Sequence, residues 1–169
     1  MANFQLISQF LKDFSFESPN VPELFFSQDD GQAKMDINVD IQVKGADNDI
    51  YMVDLLVCLH SKLEINEKSI FIIKSNYSGL VQIEPTENEE DDEIRKILLI
   101  EIPHLLFPSV RAFILRTTGE SGFPAFAMQP VDFAELYKEK NSQDIDIEQY
   151  EDSSFRSSKK IKSKDFFES

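Results

Sequence analysis

A chain of 169 residues, 41% of them hydrophobic, holds enough apolar material for one compact domain with room for a tail. Its formal net charge of −14 repels nucleic acid and anionic headgroups, because phosphate binding needs clustered Lys and Arg. A single cysteine, Cys58, rules out an intrachain disulfide and suits a reducing compartment, while 5 glycines and 15 phenylalanines argue against a loop-built phosphate cradle.

The N-terminal segment has no base before its apolar positions and does not read as a signal peptide. No stretch approaches the roughly 20 apolar residues of a membrane span. A soluble, cytoplasmic protein without direct membrane insertion is expected. Residues 4–17 alternate, with Phe4, Leu6, Phe10, Phe14 and Phe16 on one face, and read as a strand. Pro19 and Pro22 break it. A loop then runs to about Ala33 and carries Leu24, Phe25 and Phe26, unusual for a solvated connection.

Residues 34–44 alternate apolar with polar side chains, so one face is buried and one is wet, as in an antiparallel sheet. The next strand, about 50–63, is apolar on both faces, and a fourth spans about 69–83 after a turn at Asn66-Glu67-Lys68. Four consecutive strands predict a meander. The period then changes. Residues 84–93 hold seven acids, which suit a helix N-terminus. Helical spacing follows at Ile94, Ile97 and Leu98, with Pro103 and Pro108 as punctuation. A second stripe runs through Val110, Phe113, Ile114 and Thr117, ended by Gly119 and Gly122. Residues 122–130 read as extended and apolar. Asp132 caps a last helix with Phe133, Leu136 and Tyr137. The fold class is α+β: an antiparallel sheet followed by C-terminal helices, over residues 1–140. From 141 to 169 the composition turns polar and predicts a disordered tail with a basic end.

Catalytic signatures are missing. His60 and His104 lie in unrelated segments, no Cys/His spacing suits zinc, and no nucleophile elbow or phosphate loop occurs. No cofactor and no enzymatic activity are expected. Four segments resemble the protein-export chaperone family SecB: Lys12-Asp-Phe-Ser-Phe-Glu-Ser-Pro-Asn20, Tyr77-Ser-Gly-Leu-Val81, Leu105-Leu-Phe-Pro-Ser-Val-Arg111, and Gly122-Phe-Pro-Ala-Phe-Ala-Met-Gln-Pro-Val-Asp-Phe-Ala-Glu-Leu136. They stand in family order and span about Phe4 to Tyr137. The sequence departs from the family in lacking Trp and in carrying Lys74 where an acid is common.

The resemblance implies an ATP-independent holding chaperone that keeps secretory precursors unfolded and delivers them to the motor ATPase SecA. It implies a tetramer built as a dimer of dimers, with Leu106, Val110, Phe113 and Ile114 as candidates for the helical seam. A groove for unfolded clients would draw on Leu24, Phe25, Phe26, Phe123, Phe126, Met128 and Phe133. An acidic sheet face bearing Asp13, Glu17 and Ile72 would receive SecA. The alternative is a non-enzymatic adaptor that binds one folded partner.

Overall fold

The computed structural model describes residues 3–27, 31–45, 48–84, 86 and 91–143. Four strands, β1 (Asn3–Glu17), β2 (Ala33–Gly45), β3 (Ile50–Leu63) and β4 (Ser69–Glu84), form one antiparallel sheet in the order β1-β4-β3-β2. The expected meander therefore covers only β2 to β4. β1 instead lies outside β4, because the segment after Glu17 carries the chain across the end of the sheet rather than turning back on β1. That crossover holds one short helix, α1 (Glu23–Phe26).

Alternation explains three strands cleanly. Val53, Leu55, Val57 and Leu59 of β3 face the same side as Phe71, Ile73, Tyr77, Val81 and Ile83 of β4, and all are buried. β1 is less regular. Its register against β4 shifts between Leu6 and Ser8 and again between Leu11 and Asp13. An extra residue in a strand reverses which side chains face inward. Leu6, Leu11, Phe14 and Phe16 thus share the helix-covered face, and Phe10, opposite Ser78, points to the other. The grouping of Phe10 with Phe4 and Phe14 is corrected accordingly.

The two expected helices are one continuous run: α2 (Asp91–Lys96), a π-helical turn (Ile97–Glu101) and α3 (Ile102–Glu120). Neither proline ends it. A proline ring clashes with the carbonyl four residues back, and the widened turn around Leu99 relieves that clash for Pro103. By length and apolar composition alone, Asp91–Glu120 is long enough to cross a membrane, contrary to the expectation from the sequence. Here it lies along the sheet, with Leu98, Ile102, Leu106, Val110 and Ile114 fully buried against it.

The glycine of the Tyr77-Ser-Gly79 motif has a packing reason. A Cβ on Gly79 would come within 3.1 Å of both Leu106 and Leu6, so a larger residue would press both leucines aside, and glycine lets the helix seat closely on the strands. Helix α4 (Phe133–Gln143) closes the chain. Asp132 caps it, its side chain accepting from the Glu135 backbone N–H at 3.0 Å, as the sequence predicts. The polar tail expected from residue 141 lies outside the described residues, apart from the end of α4.

Candidate functional site

At the sheet end where β1 finishes and β4 begins, four rings from four parts of the chain meet. Phe123 is the hub, with ring centroids 5.5 Å from Phe25, 5.5 Å from Phe71 and 6.3 Å from Phe16. Phe16 and Phe71 stack on each other at 5.7 Å. The lattice leads outward: Phe25 is 53% exposed and the adjoining Phe26 is 81% exposed. Phenylalanines this open on an ordered helix form an apolar surface without a cover in the protomer. Leu24 is half-buried beside them.

The extended segment after α3 is held in place by specific contacts. Thr118 is buried. Its hydroxyl donates to the Ile114 carbonyl at 2.8 Å and accepts the Phe126 backbone N–H at 2.9 Å. Gly119 allows Ala125 to approach, since a Cβ there would lie 3.3 Å from that of Ala125. Gly122 turns the chain with φ +87 under the edge of Phe25, a conformation glycine adopts without strain. Phe123 and Phe126 are left half-buried. Sequence reasoning missed Phe16, Phe71 and Thr118 as parts of this surface; the first two stand there only within predicted strands.

Two of the predicted groove residues fall elsewhere. Met128 and Phe133 are each 1% exposed. Phe133 packs edge-on against Phe107 and His104 of α3, at 6.1 and 6.2 Å. They anchor the C-terminal segment and do not line an open trough. The predicted helical seam needs the same correction. Leu106, Val110 and Ile114 have no exposure in the single protomer, since they fill the space between α3 and the sheet. Phe113 is half-buried between Phe14 and Tyr77. The outward face of α3 instead carries Leu105, Pro108, Ala112, Leu115 and Gly119, with Leu105 49% and Leu115 39% exposed.

The sheet face away from the helices brings Asp13, Glu17 and Ile72 together. Glu17 sits opposite Ile72 and Asp13 opposite Asn76, with Lys74 between them opposite Ser15. A shallow concavity of about 360 Å³ lies alongside, lined in part by Asp13, Asn38, Leu56, Cys58 and Lys74. The face is mixed in charge, not acidic as the resemblance implies. Lys62 bonds Asp36 at 3.1 Å and holds its carboxyl below the usual carboxylate range. Lys34 does the same to Glu67 by hydrogen bond. The buried Asp54 accepts from the Ser78 hydroxyl and lies 3.6 Å from the Lys12 ammonium, partners that a buried carboxylate requires. Asp13, Glu17 and Lys74 have no ion pair among the described residues.

No group of three or more His, Cys, Asp or Glu among the described residues is placed to hold a metal ion. His60 bonds Ser69 at 2.8 Å, and His104 touches Phe133, so both histidines have structural contacts.

The family model described as preprotein translocase subunit SecB matches residues 1–144. The chain belongs to the SecB family. Among curated relatives, the protein-export protein SecB of Rhodospirillum centenum is 36% identical over 135 residues, covering 78% of this chain and 75% of that one. That of Paramagnetospirillum magneticum is 34% identical, covering 82% and 85%. Among solved structures, a Mycobacterium tuberculosis SecB-like chaperone in complex with a peptide from an antitoxin shares the fold. Its TM-score is 0.63 at 12% identity, covering 76% of this chain and 91% of that one. SecB-family proteins are protein-export chaperones.

Proposed function

We propose that this SecB-family protein is a cytoplasmic holding chaperone. It binds unfolded secretory precursors without ATP and passes them to SecA. The observation that carries this reading is the open end of the aromatic lattice, Phe25 joined to Phe123 with the exposed Phe26 beside it. Apolar burial is non-directional, so such a surface accepts many sequences. Several segments of one client bound along it gain avidity. Phe25, Phe26, Phe123 and Phe126, with Leu24 at the base, are the proposed contacts.

Assembly as a dimer of dimers would use the outward stripe of α3. Leu105, Pro108, Ala112, Leu115 and Gly119 recur at alternating intervals of three and four, the spacing at which one helix seats against another. SecA would meet Asp13, Glu17 and Ile72 on the open sheet face. With Lys74 among them, the contact is mixed in sign rather than a uniform acidic pad for a basic tail. The client step is tested by the refolding of a urea-unfolded protein without nucleotide. Refolding slows at chaperone excess if the proposal holds, and an unchanged rate refutes it.

A further inference from the structure

Residues 153–169 carry Arg156, Lys159, Lys160, Lys162 and Lys164 interleaved with Phe155, Ile161, Phe166 and Phe167, against only Asp165 and Glu168. The aromatic groove has the complementary chemistry. No Lys or Arg occurs from Asp13 to Ala33, or from Thr117 to Tyr137, the two stretches that supply Phe16, Phe25, Phe26 and Phe123. Exposed carboxylates flank the rings instead: Glu23 two residues before Phe25, and Glu120 three before Phe123. Of the bases at this end of the sheet, Lys34 and Lys62 are engaged with Glu67 and Asp36 on the opposite face, and Lys68 lies in the turn between β3 and β4.

The tether reaches. Lys140 bonds Asp40 at 2.6 Å, which places the end of α4 beside the middle of β2. From there, by the strand register, the groove lies three to five residues along the strands and three strands across, roughly 20 Å away. The residues between Gln143 and Phe155 extend to about 40 Å.

We propose that residues 155–167 of the chain's own C-terminal segment dock in the Phe25–Phe26–Phe123 groove and compete there with unfolded clients. This rests on the groove being the client site. Aromatic side chains cover the open rings, and the interleaved bases face Glu23 and Glu120. A linker of this length gives an effective concentration on the order of 1 mM. A contact of only about 100 μM affinity is then mostly closed, and client affinity falls roughly tenfold. Weak clients are excluded, and long clients that engage several segments displace the tail.

The test uses the full chain and a full-length Phe155→Ser, Phe166→Ser, Phe167→Ser variant. A fluorescent synthetic peptide of residues 153–169 is titrated onto the variant, and reduced, carboxymethylated ribonuclease A serves as an unfolded client for both proteins. The peptide is expected to bind the variant, to lose binding when Phe26→Ser is added, and to be displaced by the client. The variant is expected to bind the client about tenfold more tightly than the wild type, at all chaperone concentrations. Failure of the peptide to bind, or equal client affinity of the two proteins, overturns the proposal. A difference that grows with protein concentration also overturns it, in favour of a neighbouring copy's tail. Peptide bound through Phe26 without client binding would leave the docking standing and defeat the chaperone reading instead.

Discussion

Replacing Phe26 with alanine separates client binding from folding more cleanly than any other single change. The side chain is 81% exposed and has no ring partner within the lattice, so the fold loses almost nothing. Surface substitutions of this kind fall within about 0.5 kcal/mol of wild-type stability. Burying a whole phenylalanine side chain is worth roughly 1.5–3 kcal/mol. A client that covers the exposed four-fifths of this one gains about 1–2.5 kcal/mol, which is about 5- to 60-fold in affinity. Anisotropy titration of a labelled, permanently unfolded polypeptide reads the affinity in the Phe155→Ser, Phe166→Ser, Phe167→Ser background, where release of the C-terminal segment cannot offset the loss, and urea denaturation reads the stability. The expected result is weakened client binding at an unchanged unfolding midpoint. Client affinity within twofold of the parent that keeps Phe26, or a parallel fall in stability, would refute the assignment of Phe26 to an open binding surface.

The two faces of α3 should separate in the same way. Leu106→Ala, at a position with no exposure, is expected to lower unfolding free energy by about 2–5 kcal/mol in a urea titration, whereas Leu115→Asp is expected to lower the solution mass measured by light scattering with little change in protomer stability. The Ser75 hydroxyl is buried without a hydrogen-bond partner, so Ser75→Ala is expected to raise stability by about 1 kcal/mol in the same titration. Asp13→Arg combined with Glu17→Arg is expected to weaken SecA binding in a salt-dependent manner, seen by surface plasmon resonance at two ionic strengths, and to leave client holding intact.

The strands are legible in the sequence because a half-buried antiparallel strand writes its environment with period two, as β2 does from Lys34 to Lys44. Phe10 is misplaced by that rule because a bulge flips the parity of β1 and has no signature of its own here; Ile7 and Leu11, which intrude on the alternation, are its only trace. The continuous helix is hidden for a related reason. Proline is a breaker by local chemistry, and only the wide turn before it shows how the backbone makes room. Site residues are legible as types and not as faces. Phe26 and Phe133 read alike in sequence, yet one is open and the other fully buried, because what covers each is set by the path of α4 and of the segment after Gly122. The α3 stripe shows the same ambiguity. Leu105 and Leu106 are neighbours in sequence and differ only in which side of the helix meets the sheet.

Site-specific photocrosslinking to an unfolded precursor, in the absence of ATP, tests the groove most directly. With the reactive group at position 26 or 123, crosslinks to the client are expected, and with it at position 72 on the far sheet face they are not. Efficient capture from position 72 with none from 26 and 123 would contradict the account.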